Sequence, residues 1–319
     1  MISKPVSKLA PLIKNKSISP VELTKAVLDH AEAKQKDINA FISFTHEKAE
    51  SAARMAEQEI MDGRYRGIYH GIPIALKDNI YIKDETTTMG SEIHRNFKPG
   101  YNATVVEKLT EAGEIFTGKL NMHEYAYGIT NDNTHYGASR NPWNTDKITG
   151  GSSGGSGAAV AADMTSASLG TDTSGSIRIP AALCGVTGLK PTYGRVSTYG
   201  TFPLAPSQDH IGPMTKNVKD AAGLLQIIAG QDNKDPMTLS APPENYLDHL
   251  TGDVNGLVIG IDEEYFFDNV DAGVEKAVRD NIRFLEMNGA KVELIEIPML
   301  HGTEAVSYTH LTLPTTPYV

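Results

Sequence analysis

The order of apolar and polar positions along the chain predicts alternating helices and strands. Leu23, Val27 and Ala31 recur at helical spacing directly after a capping box at 19–22, where proline follows the capping serine. The short apolar run 72–77 is typical of a buried strand, and it ends in Lys77. The other predicted elements are helices at 47–61, 105–112, 157–162 and 272–287, a short helix capped by Asn121, and strands at 114–118, 167–170, 257–261 and 292–297.

This alternation predicts an α/β fold with a mixed β-sheet core covered by helices on both faces. The chain of 319 residues is long enough for a sizeable core, in one large domain or two smaller ones. The polar, proline-bearing segment 232–244 predicts a surface connection or a weak domain boundary, because such composition favours turns over regular elements.

Composition narrows the classes of function. The formal net charge of −10 argues against a general basic surface for nucleic acid. No apolar run approaches the length of a membrane span, and the first residues lack the apolar core of a secretion signal, so we expect a cytoplasmic protein without membrane contact. The single cysteine, Cys184, allows no intrachain disulfide and is predicted to be a small core residue.

Two glycine-rich turns carry the candidate chemistry. The loop 150–157 contains Ser152, and the turn 170–176 contains Ser176. Glycines let backbone N–H groups converge on one point, and a nucleophilic serine needs such donors as well as a base. Lys77, at the end of a buried strand, is a candidate base if burial lowers its pKa.

These segments, with the runs 176–180 and 188–196, resemble the amidase signature family, and the similarity extends from about residue 18 to about residue 298. The resemblance implies the amidase signature fold and a Lys77–Ser152–Ser176 catalytic triad that hydrolyses carboxylic amides through an acyl-enzyme. It also implies a cis peptide bond before Ser152. No cofactor and no metal are expected.

The resemblance and the local chemistry together assign roles around the triad. Ser176 is the candidate nucleophile, and the backbone N–H groups of the turn form the candidate oxyanion hole. Three further residues are expected to support the site: Ser153 beside Ser152, and Asp172 paired with Arg178, which holds the turn or contacts a substrate. The four residues of the candidate oxyanion hole are Thr173, Ser174, Gly175 and Ser176.

Each motif has an alternative explanation. A lysine after an apolar run is usually a solvated strand end, Ser176 could cap a helix, and Ser152 could belong to a flexible linker. The residues 150–154 also match the G-x-S-x-G elbow of α/β-hydrolases, but that motif needs a preceding strand and 141–146 predicts a turn. The glycine loop lacks the Gly-Lys-Ser/Thr that ends a phosphate-binding loop. His123-Glu124 lacks the second histidine of a zinc motif.

Two roles are open for this chemistry. The first is a stand-alone amidase acting on a small-molecule amide, which the run 202–214 favours; a homodimer is compatible with it. The second is the A subunit of a glutamyl-tRNA(Gln) or aspartyl-tRNA(Asn) amidotransferase, which releases ammonia from glutamine with B and C subunits as partners. The sequence does not identify the amide.

The end of the chain departs from the family pattern. We expect an amidase domain at 1–301, incomplete at its C-terminus, and a tail at 302–319 outside the family. The tail is either an artefact of sequence assembly or a genuine divergent terminus. A third alternative for the function is therefore an inactive truncated fragment.

Overall fold

A computed structural model describes residues 1–303. The chain divides into two compact units, Met1–Leu247 and Asp248–Val319. The predicted tail at 302–319 lies almost wholly outside the described residues, and the domain boundary at 301 stays a prediction.

The first unit contains seven helices and eight strands among its described residues. The helices are α1 (Val6–Lys14), α2 (Pro20–Ile38), α3 (His46–Met61), α4 (Thr104–Glu111), α5 (Gly154–Ala161), α6 (Arg178–Cys184) and α7 (Val218–Ile228). The strands are β1 (Phe41–Phe44), β2 (Pro73–Lys77), β3 (Ile115–Leu120), β4 (Arg140–Asn141), β5 (Asn144–Ile148), β6 (Ala167–Asp172), β7 (Thr187–Gly188) and β8 (His210–Thr215).

A mixed six-stranded sheet with the order β1-β3-β2-β6-β8-β7 forms the centre of this unit. Strand β2 is parallel to both β3 and β6, while β1, β7 and β8 run antiparallel to their neighbours. Leu76 lies opposite Leu169 in the register of β2 and β6. Because parallel strands end at the same edge of a sheet, Lys77 and Thr171 come together there.

Helices cover both faces of the sheet, as predicted, and β2 shows why. Ile74 and Leu76 pack into a core cluster with apolar residues of α1, α4 and α7. Ala75, between them, packs into a second cluster with small residues of α2 and α5. Since alternate side chains of a strand point to opposite faces, β2 is buried on both sides.

Most predicted elements lie where the sequence places them, within a few residues. The capping box is confirmed, because Ser19 Oγ accepts hydrogen bonds from the N–H groups of Val21 at 3.0 Å and Glu22 at 3.1 Å. The predicted cap at Asn121 is wrong. Its side chain instead bonds the carbonyl oxygens of Asn39 and Gly137, and a short 3-10 helix at Glu124–Ala126 begins after it.

The segment before the glycine loop also differs from prediction. The predicted turn at 141–146 is a hairpin whose second strand, β5, runs almost to Gly150. Among the described residues β4 and β5 pair only with each other, in a sheet separate from the central one. The strand that the elbow motif requires is thus present locally, but it does not belong to the central sheet.

The second unit contains a β-α-β arrangement. Its elements are β9 (Val258–Ile261), α8 (Glu263–Phe267), α9 (Ala272–Met287) and β10 (Lys291–Leu294), followed by a 3-10 helix at Pro298–Gly302. Strands β9 and β10 pair in parallel, with Val258 opposite Lys291. No helix within residues 1–303 is both long enough and apolar enough to cross a membrane.

Candidate active site

Lys77 lies at the carboxyl end of β2 with its side chain fully buried. Its Nζ is 2.7 Å from Ser152 Oγ and 2.7 Å from Thr171 Oγ1. The solvated strand end that a lone lysine usually indicates is therefore wrong here. The structure brings Lys77 and Ser152 into direct contact across 75 positions of sequence.

Burial determines the charge state of this lysine. Removal from water lowers the pKa of Lys77 to about 7, although the carboxylates of Asp172 and Asp209 act to raise it. A substantial fraction of the amine is then neutral near pH 7. A neutral amine has a lone pair and can accept a proton from Ser152, which a charged ammonium cannot do.

The two serine-containing loops are joined by their backbones. The Gly151–Ser152 peptide bond is cis, as the resemblance implies. The N–H of His123 donates to the Ser152 carbonyl oxygen at 3.1 Å, and the N–H of Ser153 donates to the Ser176 carbonyl oxygen at 3.2 Å. Ser176 is 7% exposed, whereas Ser152 is fully buried. The loop of Ser152 is therefore fixed against the loop of the candidate nucleophile.

The hydroxyl of Ser153 supports this arrangement by bonding the backbone of β6. Its Oγ donates to the Thr171 carbonyl oxygen at 3.1 Å and accepts from the Thr171 N–H at 3.2 Å. The end of β6 is thereby held against the glycine loop that begins α5. The supporting role of Ser153 at the site stays a prediction.

Asp172 organises the turn that carries Ser176. Its buried carboxylate accepts hydrogen bonds from Nε and Nη2 of Arg178, each at 3.0 Å, so the predicted pair is formed. It also accepts hydrogen bonds from the backbone N–H groups of Gly175 at 2.7 Å and Ile177 at 3.1 Å. Burial acts to raise the pKa of Asp172, but the guanidinium and these N–H groups hold it below its usual value.

The candidate oxyanion hole needs one correction. Because the Gly175 N–H is donated to Asp172, it does not point at a substrate oxygen, and its role in this conformation is to hold the turn. Gly175 has φ +124°, a conformation that favours glycine, and a Cβ there would lie 2.8 Å from Ile179 Cδ1. The N–H groups of Thr173, Ser174 and Ser176 stay predicted donors.

Two polar residues at the site were missed by sequence reasoning. Thr171 Oγ1 accepts from Lys77 Nζ and also from Asn79 Nδ2 at 3.2 Å. Asn79 is nearly fully buried and follows Lys77 by two positions. The only feature of the sequence that could have indicated them is their position. Both residues stand at the carboxyl ends of buried parallel strands, where sites commonly form.

A small, partly open cleft lies beside these groups. Asn79 and Thr171 line it, so it reaches the contacts of Lys77. Its remaining walls combine hydroxyl and apolar groups with one carboxylate and one imidazole: Ala126, Thr173, Thr198, Thr201, Phe202, Pro203, Leu204, Pro206, Asp209, His210 and Ile211.

Other nucleophiles and metal ligands do not form a site in the described part of the chain. Cys184 is buried, and burial raises the pKa of its thiol to about 12. A thiol with such a pKa is not a nucleophile near pH 7. Within residues 1–303, no three histidine, cysteine, aspartate or glutamate side chains are grouped to hold a metal ion.

Comparison with known proteins gives concordant matches. The profile of the family described as Amidase matches residues 22–316. The A subunit of glutamyl-tRNA(Gln) amidotransferase from Carboxydothermus hydrogenoformans is 48% identical over 286 residues, which cover 90% of this chain and 59% of that protein. The A subunits of several other bacteria are 43–47% identical.

Solved structures of both kinds of protein share the fold. The peptide amidase of Stenotrophomonas maltophilia matches with a TM-score of 0.87 and 35% identity, covering 97% of this chain and 65% of that chain. The glutamyl-tRNA(Gln) amidotransferase A subunit of Thermotoga maritima matches with a TM-score of 0.82 and 37% identity, covering 92% and 62%. The chain spans about 60% of the length of the curated relatives it matches.

Proposed function

Since the chain belongs to the amidase signature family, we propose that it hydrolyses a carboxylic amide to an acid and ammonia or an amine. One observation carries the proposal most: a fully buried lysine, with its pKa lowered to about 7, lies 2.7 Å from Ser152 Oγ. A buried amine without a full counter-charge is costly to fold around, and such groups cluster at functional sites.

In the first step, Ser176 Oγ attacks the amide carbon and the carbon–oxygen double bond opens to an oxyanion. The Ser176 proton passes to Ser152 Oγ, whose own proton passes to the neutral Lys77 amine. Predicted backbone donors of the turn stabilise the oxyanion, at about 2.7–4 kcal/mol per donor in comparable sites. Lys77 is then an ammonium that keeps its hydrogen bond to Thr171 Oγ1.

In the second step, the oxyanion collapses and the carbon–nitrogen bond breaks. The proton returns from Lys77 through Ser152 to the departing nitrogen, which leaves as ammonia or an amine. Water then attacks the acyl-enzyme, with the same groups taking its proton, and the acid is released from Ser176. The charge on every group is restored at the end of the cycle.

A second role for the same chemistry has specific support. The first matched curated relatives are A subunits of glutamyl-tRNA(Gln) amidotransferase, so the preference for a stand-alone amidase drawn from residues 202–214 carries less weight than expected. In this role the protein would release ammonia from glutamine for B and C partner subunits. Copurification of a B subunit, or glutamine hydrolysis that rises with charged tRNA, would select it over the stand-alone role.

A fluorophosphonate probe tests the shared chemistry directly. We expect covalent labelling of Ser176, located by mass spectrometry, and no labelling of Ser176→Ala. The labelling rate should rise with pH through about 7 as Lys77 loses its proton, and this dependence should vanish in Lys77→Ala. An adduct on Ser152 or Ser153, or an unchanged pH profile in the lysine variant, would contradict the assigned roles.

A further inference from the structure

Two residues of the cleft have buried side-chain oxygens without a partner. Asn79 Oδ1 and Thr201 Oγ1 make no hydrogen bond to any described residue. Both residues line the cleft beside Thr171. A buried acceptor left unpaired is destabilising, and native structures leave few of them, so each requires an explanation.

The orientation of the Asn79 amide is fixed by its neighbours. Its Nδ2 donates to Thr171 Oγ1 at 3.2 Å and to the Phe202 carbonyl oxygen at 3.4 Å. A carbonyl oxygen only accepts, so exchanging the nitrogen and oxygen of the amide would place two acceptors against each other. Oδ1 is therefore the atom that remains without a donor.

The two oxygens belong to one rigid part of the cleft wall. The N–H of Phe202 donates to the Asn79 carbonyl oxygen at 2.9 Å, and Ile80 pairs with Thr201 in an antiparallel bridge. Asn79 and Thr201 are thus carried by two backbone segments bonded to each other. Acceptors fixed in this way are arranged in advance for a ligand that brings N–H groups.

Thr171 connects this wall to the candidate catalytic groups. Its Oγ1 accepts from both Asn79 Nδ2 and Lys77 Nζ, and Lys77 contacts Ser152. In the proposed reaction, Ser152 returns a proton to the departing nitrogen. Asn79 therefore shares Thr171 with Lys77, and Thr173, from the turn that carries Ser176, lines the same cleft as Asn79 and Thr201.

We propose that Asn79 Oδ1 and Thr201 Oγ1 accept hydrogen bonds from the N–H groups of the scissile carboxamide, so that the cleft selects amides over esters of the same acid. The inference rests on the proposed function and adds the basis of its selectivity. An ester has no N–H at this position, so it would leave Asn79 Oδ1 without a donor, and Thr201 could bond it only by donating its own hydroxyl proton. Sites that bind a substrate N–H discriminate strongly against analogues that lack it.

Matched pairs of primary amide and methyl ester test the inference. Suitable pairs are benzamide with methyl benzoate, hexanamide with methyl hexanoate, and L-glutamine with its γ-methyl ester. Removal of one acceptor in Thr201→Val should lower the amide-to-ester ratio of kcat/KM by about tenfold. Thr201→Ser keeps the hydroxyl and should keep the ratio, while Thr110→Val, at an exposed position in α4, should leave both rates unchanged.

Asn79→Ala provides the second acceptor variant. It also removes the hydrogen bond to Thr171, so both rates should fall, but amides should fall about tenfold further than esters. Equal losses for the two members of each pair would indicate that Asn79 only positions Lys77. That result, together with an unchanged ratio in Thr201→Val, would overturn the inference.

Binding separates this inference from the proposed function. Calorimetry on Ser176→Ala should show that any amide that binds does so more tightly than the matching ester. The ratio of the two dissociation constants should be smaller in Ser176→Ala/Thr201→Val. Amide-selective binding without turnover of any amide by the parent protein would contradict the proposed function and support the inference. Lack of amide selectivity in every pair would overturn the inference, whatever the turnover.

Discussion

The buried amine of Lys77 links the candidate chemistry to the stability of the protein. Its pKa is about 7 in the folded state and 10.5 as an unperturbed group, a difference that corresponds to roughly 5 kcal/mol. Between these pH values the unfolded chain binds a proton that the folded chain does not. The stability of the protein should therefore rise with pH from about 7 towards 10.5.

We predict that Lys77→Met abolishes activity and stabilises the fold at pH 7. The gain should be roughly 2–3 kcal/mol, because Ser152 and Thr171 each lose a hydrogen bond worth about 1 kcal/mol. Urea unfolding from pH 7 to 9.5 should show the difference from the parent shrinking as pH rises. Lys25→Met, at an exposed position, should show no such trend, and a destabilised Lys77→Met at pH 7 would contradict the burial argument.

Asp172→Asn should destabilise the turn by about 2–4 kcal/mol. The asparagine amide would lose the bidentate pair with Arg178. Its NH₂ group, a donor, would also face backbone N–H groups whose hydrogen bonds the carboxylate accepts in the parent protein. Because the pKa of Asp172 is held below its ordinary value of 3.8, the difference from the parent should be full above that value and disappear at lower pH. Thermal unfolding over a pH series that starts at 7 and continues well below 3.8 measures this, with exposed Asp29→Asn as the unaffected control.

The residues that the sequence predicted at the site lie in motifs that carry the family resemblance, and those it missed do not. Lys77 was assigned from the family resemblance as well as from its place at the end of an apolar run, and Asp172 and Arg178 flank the glycine turn that carries the same resemblance. Thr171 and Asn79 become important only because β2 and β6 are adjacent in the sheet. The use of the Gly175 N–H by Asp172 also depends on a backbone conformation that no local pattern specifies.

Among the elements, α5 shows how packing reverses an intrinsic preference. Its sequence begins with Gly154 and Gly155, and a glycine inside a helix is usually less stable than alanine by about 1 kcal/mol. A Cβ on Gly155, however, would lie 2.4 Å from the Asn121 carbonyl oxygen and 2.5 Å from that of Ala40. Both are backbone atoms, which cannot move aside as a flexible side chain can.

We therefore predict that Gly155→Ala destabilises the protein by about 2–4 kcal/mol, opposite in sign to its helix propensity. Because α5 follows Ser152 directly, labelling of Ser176 by the fluorophosphonate probe should also slow. Gly100→Ala is the matched control, since no atom lies within 4 Å of a Cβ at that position. Stabilisation by Gly155→Ala, measured by urea unfolding, would show that the contact is not as close as the structure has it.

Element prediction succeeded for several strongly periodic helices, but it missed α7 as well as elements whose pattern is short or interrupted. The helices α3 and α9 lie within one residue of their predicted bounds. Helix α1 was missed because Pro11 stands inside it, and β8 was missed because Pro213 and Gly212 interrupt an otherwise apolar run. Proline and glycine weaken local signals that tertiary packing can still override.

For the whole molecule, the order of strands could not be predicted, because each pairing joins residues far apart in sequence. The alternation of elements was enough to predict a mixed sheet with helices on both faces. It was not enough to separate two compact units firmly, since the segment 232–244, just before the division after Leu247, was predicted as a surface connection or a weak boundary. The wider segment 229–257 contains no helix or strand.

Limited proteolysis should detect this segment. Thermolysin cleaves before large apolar residues, and Leu250 and Leu257 are 45% and 49% exposed in a stretch without helix or strand. Backbone in such stretches adapts to a protease more easily than backbone in β2 or β6, whose residues are all buried. We expect early cleavage between 247 and 257 to give an N-terminal fragment that resists further digestion. Leu250→Gly/Leu257→Gly should slow its appearance, and first cleavage inside the six-stranded sheet would contradict the division into these two units.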